Sequence, residues 1–130
     1  MIARMYNNEA VMHDLTTTMG FVLLNIDSHE GSPSTSIGPL LGMEPTSLSR
    51  TLLAMEKKKL IVRKKDPHDG RMVRIMLTEK GRRKREIAKN TVKEFNREIS
   101  ELIDAEKLSV FNEVVKEVTR LAEEKKFALS

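Results

Sequence analysis

GMEPTSLSRTLLAMEKKKLIVRKKDPHDGRMVRIMLTEKG, residues 42–81, decides the fold, because its apolar period changes partway along. Leu48, Leu52 and Met55 recur at i, i+4 and i+7, one face of a helix running from about Pro45 to Lys58. Pro45 stands in the first turn, where its missing N–H is not needed. Thr46, Ser47, Ser49 and Arg50 fall on the other faces. From Leu60 the period drops to two. Leu60–Lys65 reads as one strand and Met72–Leu77 as another, with Val73, Ile75 and Leu77 on one face. The residues between them are too many for a two-residue hairpin, so the loop Asp66-Pro67-His68-Asp69-Gly70-Arg71 must project. Gly70 is expected to free its turn.

Working outward, Ile2–Met12 reads as a short helix with Ile2, Met5 and Tyr6 on one side. Thr16 caps a second helix to about Ser28, and His29–Pro33 reads as a turn. A short helix over Ser34–Leu41 ends at Gly42, with Pro39 expected within about its first turn. Two short helices joined by the three-residue turn at Gly42-Met43-Glu44 make a helix-turn-helix, and the strand pair that follows completes a winged helix. Thr78 caps a long helix from Glu79 to about Leu102, striped by Ala88, Val92, Phe95, Ile99 and Leu102. Asp104 caps a last helix striped by Leu108, Phe111, Val115, Val118 and Leu121. The winged-helix core is complete without these two helices, so their apolar faces need a partner. A homodimer interface built from both chain ends satisfies them: Ile2, Met5, Tyr6, Phe95, Ile99, Leu102, Leu108, Phe111, Val115 and Val118. The expected class is mainly α with a small β-hairpin wing. One domain spans 1–130: a winged-helix lobe at 14–78, and dimerisation helices at 1–13 and 79–130.

Charge is segregated. Between Lys57 and Arg85 stand thirteen Lys or Arg and three acids; the remainder holds ten basic residues against sixteen acids. A basic zone of this kind suits a polyanion, whose counterions Lys and Arg displace. The absence of cysteine excludes disulfides, thiolate metal sites and thiol redox sensing. His13, His29 and His68 share no ligand spacing, so no metal is expected. No nucleophile–base pair or Gly-rich phosphate loop appears, which argues against an enzyme and against a cofactor. The longest apolar run, Met19–Leu24, cannot span a bilayer, and no signal peptide opens the chain, so a cytoplasmic protein is expected. A winged-helix adaptor for protein partners, the rival class, would carry neutral recognition and wing surfaces, and here the basic excess coincides with both.

Over about Ile2–Ala122 the chain resembles the MarR family of winged-helix transcription regulators. The resemblance is carried by Ser49-Arg50, Leu60-Ile61, Asp69-Gly70-Arg71 and Leu77-Thr78-Glu79-Lys80-Gly81, in that order. It implies a homodimer on a pseudo-palindromic operator in double-stranded DNA, with repression the usual outcome. The Pro45–Lys58 helix would enter the major groove and each wing the adjacent minor groove. On that reading Pro45, Thr46, Ser47, Ser49 and Arg50 face DNA from the helix. Arg71 reaches into the minor groove, Lys64, Lys65 and Arg74 meet phosphates, and Asp69 braces the wing. Family members also take small phenolic or lipophilic anions, for which Met12, Met19, Phe21 and Met55 are the candidate lining. Three departures stand out, the first being Gly38-Pro39, which departs from the usual helical run there and bears on the geometry of the third helix. Lys59 occupies a place where many relatives carry Gly, which costs roughly 1 kcal/mol if that residue is left-handed. The first helix is short for the family, which implies either a reduced interface or further chain upstream of Met1.

Overall fold

The computed structural model describes residues 1–125. Nine elements follow in order: α1 (Ile2–Met12), α2 (Thr17–Asn25), β1 (Ser32–Pro33), α3 (Ser34–Leu41), α4 (Pro45–Lys57), β2 (Ile61–Lys65), β3 (Val73–Leu77), α5 (Glu79–Leu102) and α6 (Ala105–Glu124). Thr16 caps α2 as expected, its hydroxyl accepting from the Met19 N–H at 3.1 Å. The helix stops at Asn25, three residues short of Ser28, because local side chains claim the next amides. The Asp27 carboxylate accepts from the N–H of His29 and of Glu30, and the Ser32 hydroxyl accepts from the Asp27 N–H.

The segment read only as a turn supplies a third strand. Ser32 pairs with Ile75 and Pro33 with Arg74, giving an antiparallel sheet in the order β1-β3-β2. Pro33 is tolerated because β1 lies at the sheet edge. Gly31 makes the approach possible: its φ is +73°, and a Cβ there would stand 2.5 Å from the Ile75 carbonyl oxygen.

Pro39 does not sit in the first turn of α3; it is the sixth of eight residues. Its missing N–H would have served the carbonyl of Thr35, an exposed residue whose oxygen can be hydrated instead. Gly38 and Ile37 are buried, and a Cβ on Gly38 would lie 3.3 Å from the Leu48 side chain, so the glycine sets how closely α4 approaches. Gly42, at φ +62°, closes the helix, its N–H and that of Met43 donating to the carbonyls of Pro39 and Gly38.

By internal contacts the chain forms two compact units, Met1–Val92 and a second beginning at Lys93. The first unit holds the core. Val22, Leu23, Ile26, Ile37, Met55, Leu60, Ile61 and Ile75 are all nearly inaccessible, so α2, α3, α4 and the sheet close on one another. In the second unit α6 presents Phe111, Val114, Val115, Val118 and Leu121 in the open. Arg120 is bridged to Glu117 and Glu124, and Arg97 to Glu94 and Glu101. Asp104 occupies the start of α6, but its carboxylate makes no cap; its backbone carbonyl accepts from the Leu108 N–H. The two charge clusters on α5 and α6 are i, i+3 and i, i+4 pairs on solvated helix surface.

Candidate nucleic-acid interface

Two elements of the first unit form the candidate surface, α4 and the wing, and the wing lies within the basic zone. On α4, burial of Leu48, Leu52 and Met55 turns Pro45, Thr46, Ser47, Ser49 and Arg50 to solvent; all five are exposed. Glu44 offers no side-chain cap, so the amides of the first turn of α4 are left for water or an anion. The far end of α4 is fastened by backbone geometry. Lys59 is left-handed at φ +60°, and the N–H groups of Lys59 and Leu60 donate to the carbonyls of Glu56 and Met55. Lys59 does therefore take the left-handed conformation for which Gly is the less costly residue.

The wing is built by aspartates. Asp66 Oδ1 accepts from the N–H of His68 (2.8 Å) and of Asp69 (3.1 Å), while its own N–H donates to the Met72 carbonyl. These N–H groups, the His68 one foremost, hold the Asp66 carboxyl below the usual carboxylate range against the opposing effect of desolvation, and the nearby Arg74 charge adds to the lowering. Asp69 Oδ1 accepts from the Arg71 N–H at 3.0 Å, bracing the base of the side chain it was expected to brace. Asp66 is the wing residue that sequence reasoning missed. Its signal was present, since Asp before Pro, with two further residues to an amide it can reach, is a turn signature. Gly70 takes no part of the kind expected. Its φ is not in the left-handed region and a Cβ there would meet nothing. The turn is made by Asp66 and Asp69 instead.

Arg71, Lys64 and Lys65 are exposed on the wing. Arg74 is not brought into their company. Its Nε lies 3.6 Å from Asp66 Oδ2 and its side chain is largely covered, so its charge is engaged inside the wing. On β3, Ile75 and Leu77 are buried, whereas Val73 is exposed and does not join them in anchoring the wing.

The hairpin root is locked to the helix that follows it. The Thr78 hydroxyl donates to the Lys59 carbonyl at 2.6 Å, with the Leu60 carbonyl at 3.1 Å, and accepts from the Gly81 N–H at 2.9 Å. A Cβ on Gly81 would stand 2.0 Å from the Leu60 oxygen, so only glycine lets α5 start there. The Lys80 amine adds a bond to the Lys58 carbonyl.

A groove lies between α1, α2 and the first half of α5, with about 430 Å³ of empty space continuous with solvent. Of the four residues expected to line a ligand site, Phe21 lines it. Met19 and Met55 are core, and Met12 is three-quarters exposed outside the lining. Helical phase explains the difference: Met19 sits one turn before Leu23 on the buried side of α2, and Phe21 falls on another side. Among the residues expected at a dimer interface, Ile2, Leu102, Phe111, Val115 and Val118 are exposed, while Met5, Tyr6, Phe95, Ile99 and Leu108 are half-buried. Among the described residues no cluster of His, Asp and Glu could hold a metal, and no helix is long and apolar enough to cross a membrane.

Residues 15–73 match the MarR family model. The HTH-type transcriptional regulator SarZ of Staphylococcus aureus is 33% identical over 110 residues, covering 79% of this chain and 74% of that protein. AbsC, a MarR family transcriptional regulator from Streptomyces coelicolor, superposes with a TM-score of 0.83 over 95% of this chain and 85% of its own at 20% identity. The S. aureus MepR–DNA complex gives 0.79 over 92% and 91% at 22% identity. At these identities the two structures speak for the winged-helix fold, and the SarZ similarity with the family match carries the kinship: the chain belongs to the MarR family of transcriptional regulators.

Proposed function

We propose that this chain is a sequence-specific double-stranded DNA-binding regulator. It acts as a homodimer on a pseudo-palindromic operator, represses transcription, and is released by a small molecule. One observation carries the reading: the polar N-terminal half of α4 and the tip of the wing are both exposed, and the wing lies within the stretch that holds the chain's basic excess. Thr46, Ser47 and Ser49 offer hydroxyls near an uncapped helix N-terminus, suited to phosphates and base edges. Arg50 has the reach for a guanine or a phosphate, and Arg71 the charge for a narrow minor groove. Lys64 and Lys65 add phosphate contacts; Asp69 and Pro45 position their neighbours. A relative of the same fold is known bound to DNA, the MepR complex, which supports the placement.

The dimer reading rests on the bare apolar face of α6, continued by Leu102 at the end of α5. Monomeric proteins rarely expose so continuous a patch. The groove lined by α1, α2 and α5 is the natural place for an effector, since its walls include the two helices that lead into the DNA-reading lobe. Fluorescence anisotropy with DNA from the chain's own upstream region tests the whole. Saturable binding that survives competitor DNA, falls steeply with salt, and has two chains per site is the expected result. Salt-insensitive or competitor-labile binding would instead favour the adaptor.

A further inference from the structure

The groove between α1, α2 and α5 has a lopsided polar inventory. Its walls are mostly apolar, with Phe21, Leu24 and Ile87 the large contributors. Among the described residues lining it there is no lysine or arginine; His13 is the one basic side chain, and the one acid is Glu9, half-buried on α1. The two cations on α5 one turn before Ala88, Lys84 and Arg85, stand outside the lining, and the Lys84 amine is held by the His13 carbonyl at 2.7 Å. Two hydroxyls in the wall are placed to accept. Thr17 Oγ1 is buried with no hydrogen-bond partner. Thr91 Oγ1 donates to the Ile87 carbonyl at 3.0 Å, which leaves its lone pairs for an incoming N–H. The Tyr6 phenol, also in the wall, has its pKa raised by burial, so it stays a neutral hydroxyl there.

We propose that this groove takes an amphipathic amine, with a flat apolar body against Phe21, Leu24 and Ile87 and an ammonium head on the Glu9 carboxylate. This rests on the effector reading above and replaces the aromatic or lipophilic anion that the family resemblance implied. An anion would meet the Glu9 carboxylate with no lysine or arginine in the lining to offset it, and His13 as the one basic side chain there. An ammonium group instead finds a carboxylate and hydroxyl acceptors, including the buried Thr17 oxygen that otherwise has no partner.

A matched series decides it: 2-naphthylmethylamine, 2-naphthylmethanol and 2-naphthoate, titrated calorimetrically against the full chain, with DNA anisotropy run in parallel. The amine is expected to bind about tenfold or more tighter than the alcohol, and the carboxylate weakest. Glu9→Gln should abolish the preference for the amine over the alcohol while leaving the alcohol's affinity in place. Thr17→Val, in the same wall, should weaken the amine more than the carboxylate. Naphthoate binding as well as the amine, a preference that persists in Glu9→Gln, or no binding by any member overturns the proposal. Glu9-dependent amine binding that leaves DNA affinity unchanged keeps the site and sinks the effector reading instead.

Discussion

Lys59 and Gly81 stand on either side of the same carbonyl region, and each shows a backbone demand met differently. Lys59 adopts φ +60° with a side chain that disfavours it. Lys59→Gly is therefore expected to stabilise the fold by about 1 kcal/mol, read as a higher urea midpoint at unchanged slope. Gly81 has no such latitude, because any Cβ would overlap the Leu60 oxygen at 2.0 Å. Gly81→Ala must move α5 or the hairpin root, and should cost about 1–3 kcal/mol in the same assay. Arg71 belongs to function. Arg71→Ala should weaken operator binding by about 1–3 kcal/mol and lower its salt dependence while circular dichroism stays unchanged. Unaltered affinity would remove the wing from the interface. How visible each residue is beforehand differs in kind. Arg71 announces itself by chemistry and position, and Gly81 by the Leu-Thr-x-x-Gly pattern. Nothing local in the sequence says that Arg74 turns to Asp66, since that depends on which side of β3 the wing folds over.

At the scale of elements, the wing is held by aspartate acceptors more than by apolar contact. Its acid response follows from sign. The Asp66 carboxyl has a folded pKa below its unfolded value, so its stabilisation is complete above the unfolded value near ~3.9 and is lost as pH falls through the depressed folded value. Asp27, lowered by the Glu30 and His29 N–H groups, behaves in the same direction in the loop that leads into β1. Protection of the His68 and Asp69 amides against hydrogen exchange, taken relative to the intrinsic rate at each pH, should fall on acidification below that range, ahead of the α2 and α4 core. In Asp66→Asn the acid-dependent step should disappear at these amides; a step of unchanged size would assign the titration elsewhere. Helix starts were legible because caps and prolines are local. Helix ends and the third strand were less so: α2 stops where Asp27 takes over the amides, and β1 exists only because β3 offers an edge to Ser32 and Pro33.

At the scale of the molecule, the first unit buries its own core and the second leaves the α6 face bare. If that face is the dimer contact, placing charge in it should separate the chains. Val115→Asp with Val118→Asp is expected to shift the light-scattering mass from two chains to one at micromolar concentration. Operator affinity should fall by roughly 10²-fold or more, because two linked half-sites become independent. A doubly substituted chain that stays dimeric would move the interface elsewhere. The first unit should keep its thermal transition, since neither residue belongs to its core.

The sequence by itself determined what depends on period and local chemistry. The spacing of Leu48, Leu52 and Met55, the change to alternation at Leu60, and the capping residues Thr16 and Thr78 suffice for a winged helix, because burial must follow the repeat of the backbone. Concentrated basic charge likewise pointed to a polyanion surface. Only the tertiary structure decided which groups meet across the chain. It gave Asp66 the wing and Arg74 the ion pair, denied Gly70 a part, sent Met19 and Met55 to the core, and put Glu9 and Thr17 in the wall of one groove. The Asp66 turn is local and its signal was there to read, whereas the burial of Met19 and Met55, the Arg74 ion pair and the groove wall depend on how the elements pack, which no short-range pattern encodes.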